Sequence, residues 1–187
     1  MPGVERWPPV YDAEELRGAI QDLANRDDLE SVIYDSGRAA EAGPCCQGDV
    51  IELHQGVPLL DENCAPAVVD DFRHWLIIGN TCDFARGIEK VRWTQAVPVV
   101  ELVGVTPQVR EDLRRYRPSR EFYLPNWTAG EATADRALVA DLLRPCALDR
   151  RVIGTCAKVV ARLSFKGWLL LNACLVRFLA RDDGRFD

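Results

Sequence analysis

The chain has 187 residues, 48% of them apolar and 28% charged, which fits one globular domain with small appendages and excludes a disordered chain. Its net charge of −6 argues against a general nucleic-acid binder, which carries a basic surface, while leaving room for a local basic patch. The N-terminus has no basic region followed by an apolar run, and the most apolar segment, 168–176, is too short to cross a bilayer. Seven cysteines, an odd number without an export signal, are expected as reduced thiols in a cytoplasmic protein that does not engage a membrane.

Residues 1–10, with Pro2, Pro8 and Pro9, read as an irregular lead-in. Asp12 to Glu15 forms a capping-box-like start, and Leu16, Ile20 and Leu23 follow at helical spacing, so a helix is predicted to end near 25–28. Residues 29–34 read as a short strand, and 35–48, with three glycines and Pro44, as a loop. Residues 50–54 alternate, with Ile51 and Leu53 on one face and Glu52 and His54 on the other, as in a half-buried strand. Residues 56–61 continue or pair with it, and 62–72, containing Asp70 and Asp71, read as an acidic loop. Residues 75–78 form an apolar run closed by Gly79 and Asn80, a buried strand ending in a turn. Residues 94–103 are β-rich, with Pro98 requiring an edge position or a bulge.

Thr106-Pro107 is an N-cap followed by proline at the first helical position, and a short helix should run to about Tyr116. Arg110, Arg114, Arg115, Arg117 and Arg120 make this the most basic part of the chain. Residues 121–124 read as a strand, 137–143 are ambiguous between helix and strand, and 150–153 lead into the last segment. There Ser164 is placed to cap a helix over 165–180, apolar almost all round and so largely buried.

The order of these pieces resembles the MazF/PemK family of bacterial toxin proteins. Gly48-Asp49 opens an alternating strand, and Arg73 and His74 lead the apolar run that ends in Asn80. The strand beginning at Thr94 and the late segment 142–153 before the final helix follow at similar spacing. The resemblance covers about residues 48–180. It implies a β-rich α+β protein, a small SH3-like β-barrel with a buried C-terminal helix, to which this chain adds an N-terminal helix. The division it suggests is an extension over 1–47 and a barrel with its helix over 48–187, together one compact domain. It also implies a role in a toxin–antitoxin, stress or defence system, as an RNA-binding or endoribonuclease-like protein. Arg73 matches the strand-leading arginine that the family's ribonucleases use, and Glu101 falls where they carry Thr or Ser.

Read as chemistry, Arg73, His74 and Glu101 are a candidate catalytic set. RNA cleavage needs a base for the 2′-hydroxyl proton, an acid for the leaving oxygen and a cation for the developing charge, and Glu, His and Arg fit those roles in that order. The plainer alternative pairs Arg73 with Asp70 or Asp71 and leaves His74 and Glu101 as solvated strand ends. Asn80, Cys82, Asp83 and Arg86 are candidate binding residues delivered by the apolar strand, Arg86 being the local cation able to activate the Cys82 thiol. The plainer alternative makes Cys82 a turn residue with Asp83 bonding loop amides. Arg110 and Arg114 are candidate contacts for RNA phosphates or an acidic partner, against a solvated face balanced by Glu111, Asp112 and Glu121. Cys45, Cys46, Cys64, Cys82 and the two histidines lack Cys-x-x-Cys or His-x-x-x-His spacing, so no metal and no cofactor are expected. Single-stranded RNA, a cognate protein and a second copy of the chain are the candidate partners. A non-catalytic immunity or antitoxin-type module on the same fold is the competing reading.

Overall fold

The computed structural model describes residues 13–25, 29–35, 44–53, 56–60, 66–69, 72–125 and 135–179. In chain order, α1 is Ala13–Ala24, α2 Leu29–Val32, β1 Asp49–Leu53, β2 Val57–Leu60, β3 Pro66–Val69 and β4 His74–Ile77. Then come α3 Thr81–Phe84, β5 Trp93–Val103, α4 Pro107–Arg114, β6 Glu121–Tyr123, β7 Arg136–Asp141 and β8 Cys146–Asp149. The chain closes with α5 Arg150–Cys156, β9 Ala157–Arg162 and α6 Phe165–Leu179. The protein is a β-rich α+β fold. Seven strands form one antiparallel sheet in the order β6-β7-β5-β4-β1-β9, with β8 also pairing β5, and β2-β3 stand as a separate hairpin. Among the described residues the pairing runs open from β6 to β9.

Both faces of the sheet are covered. Val50, Leu76 and Val97 pack on one side against Ile20 of α1, Leu113 of α4, and Leu170, Leu171 and Cys174 of α6. Ile51, Trp75, Ile77 and Ala96 pack on the other against Val57, Leu148 and Ile153. This corrects the half-buried reading of β1. Flanked by β4 and β9 and covered on both faces, it is buried at all five positions, Glu52 included.

The Gly48-Asp49 start has a physical reason at each residue. Gly48 has φ +91°, and a Cβ there would sit 3.2 Å from the Cβ of Leu163. Asp49 is wholly buried, and its carboxylate accepts from Arg162 twice, from Nε at 2.6 Å and Nη2 at 2.7 Å, and from the Cys46 amide at 2.8 Å. The fork geometry matches guanidinium to carboxylate, the arrangement that best offsets the cost of burying charge.

Pro98 lies in the longest strand and yet in an edge-like position. On one side it faces Trp75 of β4. On the other, β5 pairs with β8 through Ala96 and with β7 from Val99, so residues 97 and 98 fall between two partners. A residue without an N–H is tolerated where no ladder bond is required.

Three expectations are corrected. Residues 29–32 are helical: Ile33 N–H donates to the Leu29 carbonyl at 2.8 Å, and Leu29 and Ile33, four apart, are both buried. The acidic loop expected over 62–72 contains β3, which pairs with β2 from Val57↔Val69 to Leu60↔Pro66. Residues 150–156 are a helix of their own, and β9 precedes α6. Strand β8, Cys146–Asp149, is too short to carry a pattern of its own. The ambiguous segment 137–143 is largely strand, within β7. Thr106 caps α4 by accepting from Val109 N–H at 3.3 Å, and Ser164 accepts from Gly167 N–H at 3.2 Å at the start of α6. Among the described residues no helix is long and apolar enough to cross a membrane.

Gly79, where β4 turns, has no room for a side chain. A Cβ there would lie 2.1 Å from Thr94 Oγ1 and 2.9 Å from the Gln95 amide nitrogen. Gly79→Ala is expected to cost about 1–3 kcal/mol through displacement of β5 from β4. Urea unfolding with an unchanged midpoint would show that the turn yields freely.

Candidate functional site

Strand β4 separates the sequence-predicted residues into two groups. Arg73 and His74 are at its start, and Asn80, Cys82, Asp83 and Arg86 follow its end. Antiparallel β5 carries Glu101 toward the Arg73 end, because His74 faces Val99. Glu101 is two residues further on, about 7 Å along the strand.

At the first end the partner of Arg73 is Glu52, in a close ion pair. Glu52 is directly opposite His74 in the β1–β4 register. Its side chain is 11% exposed and that of Arg73 67%, so a surface cation is held over a nearly buried carboxylate. Alternation had placed Glu52 on a solvent face, and β4 and β9 flanking it are what sequence spacing does not reveal. Asp70, Asp71 and His54 lie outside the described residues. Burial holds His74 below the usual imidazole range, with Arg73 pushing the same way and Glu52 opposing.

Glu101 is engaged elsewhere. Both of its carboxylate oxygens lie 3.3 Å from Arg136 Nη1 across the β5–β7 ladder. Arg110 joins the same corner, donating from Nη2 to the Arg136 carbonyl at 2.6 Å. Arg114 lies in the last turn of α4 and is exposed. Arg115 pairs with Glu111 at 2.6 Å and Arg117 with Asp112 at 2.7 Å, so much of the basic stretch is balanced locally.

At the other end, Asn80 caps α3 by accepting from Cys82 N–H at 2.9 Å. Cys82 is exposed, and Asp83 pairs with Arg86 at 3.4 Å. The loop that follows is fastened by Arg150, which sequence reading passed over. Its guanidinium donates to the carbonyls of Phe84 at 3.0 Å, Arg86 at 3.1 Å and Val91, and lies 5.2 Å from the Phe84 ring centroid. Next to it, Asp149 accepts from Arg92 at 2.8 Å and from Arg151 at 2.6 Å. The Arg151 hydrogen bonds hold its carboxyl well below the usual carboxylate range. Only the bare arginine types mark these residues in sequence, because their partners are dozens of positions away.

Cys45 and Cys46 lie beside Asp49, and burial raises the Cys45 thiol, reinforced by that carboxylate. Among the described residues no group of three or more His, Cys, Asp or Glu side chains is placed to hold a metal, and the six cysteines there form no disulfide. Cys64 lies outside them. Arg73 is thus on Glu52 and Glu101 on Arg136 at one end of β4, and Cys82 follows the other end. Compared with known proteins, the chain matches no family model and no curated protein sequence.

Proposed function

We propose that the chain is a non-catalytic protein-binding module, of the immunity or antitoxin type, on an SH3-like fold resembling the MazF/PemK barrel. One observation carries this reading: the charges that cleavage would recruit are already engaged, Arg73 by Glu52 and Glu101 by Arg136. His74, biased by burial toward its neutral form, is poorly prepared to act as the acid. The net charge of −6 and the Glu52 carboxylate beside Arg73 both work against a phosphate backbone. The loop 84–92, fastened by Arg150 and by the Arg92–Asp149 pair, offers a partner a surface that needs little ordering on binding.

The competing reading, an endoribonuclease-like protein of a bacterial stress or defence system, keeps one feature in its favour. Arg73 remains two-thirds exposed at the head of β4, beside His74. Mixed single-stranded RNA incubated with wild type, Arg73→Ala and Glu101→Gln separates the two. The expected result is intact RNA with all three proteins and unslowed growth when the wild type is expressed. Wild-type cleavage falling about 100–1000-fold in both folded variants would establish the ribonuclease instead.

A further inference from the structure

Strand β8 pairs with β5 and, among the described residues, with no strand on its other side. Arg150 N–H donates to the Arg92 carbonyl at 2.9 Å, and alternation along the ladder then turns the N–H and C=O of Ala147 away from β5. Trp93 faces Asp149 and Gln95 faces Ala147, so these four side chains share one face of the sheet. Gln95 and Ala147 are exposed there, and Trp93 is 52% exposed. The Arg92 guanidinium lies 4.9 Å from the Trp93 ring centroid. Arg92 and Arg151, with side chains 51% and 59% exposed, both bond to the one Asp149 carboxylate, which is 10% exposed. Two cations on one carboxylate leave a net positive charge at the surface. The same sign continues in the adjoining chain: residues 83–92 and 149–151 hold five cations against three carboxylates, in a protein of net charge −6.

Resting on the reading of the chain as a binding module, we propose that this corner takes an extended acidic segment of a partner protein, added as a strand along β8. Strand addition draws affinity from main-chain groups such as those Ala147 turns outward, and selectivity from the side chains beside them. Those neighbours are a tryptophan and two arginines, the residue types that most often carry the binding energy of an interface. Carboxylates on the incoming strand balance the charge that Asp149 alone leaves over. Trp93, one strand further in, offers apolar area to a long or aromatic side chain of the same segment. A second copy of this chain fits less well, because it sets Arg92 and Arg151 against themselves, and like charges on facing strands are destabilising. Single-stranded RNA has the right sign, but it brings no row of N–H and C=O groups to complete an open strand. The protein's overall negative charge also opposes a long polyanion.

The test selects random short peptides displayed on phage against the full chain, then measures the enriched sequences as free peptides. The expected peptides are net negative, alternate acidic with apolar residues and bind with Kd of about 10–100 µM. Trp93→Ala and Arg151→Ala should each weaken them at least about tenfold. Both residues are more than half exposed, so circular dichroism should not change. Added salt should weaken binding to the wild type and to Trp93→Ala alike, and binding to Arg151→Ala less, since one of the attracting charges is gone. Methylating alternate peptide amides should abolish binding in one phase of the alternation and spare it in the other, as strand pairing requires. Enriched peptides without net negative charge, or with an affinity that survives both substitutions, overturn the proposal but leave a binding module that works through another face. A selection that enriches nothing overturns it, as does mixed single-stranded RNA that displaces the peptides and binds more tightly than they do. Self-association of the wild type that is lost in Trp93→Ala also overturns it, because a second copy is then the occupant. Cleavage of RNA in the assay above removes the binding-module reading by itself, and acidic peptides held at Trp93 would still mark this surface.

Discussion

Replacing Arg162 with methionine is expected to remove about 3–5 kcal/mol of stability, the largest effect of any single change considered for this chain. Asp49 is wholly buried, and its carboxylate receives two of its hydrogen bonds from Arg162. Without the guanidinium, the charge would stay in the sheet with the Cys46 amide and the Cys45 thiol as neutral donors beside it. The loss comes from the stranded charge more than from the pair's own net attraction. A second variant separates these contributions. Asp49→Leu combined with Arg162→Met leaves no buried charge, so it should recover most of the loss although both partners are gone. Urea midpoints for the wild type, the single variant and the double variant make the measurement. A double variant as unstable as the single one would show that Asp49 and Arg162 matter for shape and not for charge.

Leu171→Ala should cost about 2–5 kcal/mol, because Leu171 is wholly buried in the main core cluster and its truncation leaves a cavity there. The comparison residue is on the same helix. Leu169 is 37% exposed on the outward side, and its replacement by alanine should cost well under about 1 kcal/mol in the monomer. Thermal melts at low protein concentration test both. Equal shifts for the two would mean that the buried and outward sides of α6 have been exchanged.

Much of the scaffold could be read from the chain because its signals are local. Thr106-Pro107 marks the start of α4 by cap and ring, Gly48 marks a turn by its positive φ, Gly79 by the close approach of β5, and Asn80 by its cap on α3. The apolar run of β4 and the apolar length of α6 needed no partner to be recognised. What failed depended on distant residues. Strand β9 alternates only weakly, and it is a strand because β1, more than a hundred residues earlier, presents an edge to it. Glu52 read as solvent-facing because alternation says which residues share a face, not whether that face is covered. In the same way the ion-pair partners of Glu101 and Arg73, Arg136 and Glu52, come from elements that no spacing rule connects to them. Side chains with distant partners are where a single sequence says least.

The pairing of β1 with β9 also sets an order of events during synthesis. Strand β1 emerges from the ribosome early and can be joined by β4 soon afterwards, but its other edge stays unpaired until residues 157–162 have been made. Throughout that interval the nascent sheet carries an open edge whose first residue is Asp49. The carboxylate that is buried in the finished protein is then an exposed charge on an unpaired strand, the kind of residue that discourages another chain from adding itself there. Arg162 both neutralises that guard and closes the edge it protects, 113 residues after Asp49.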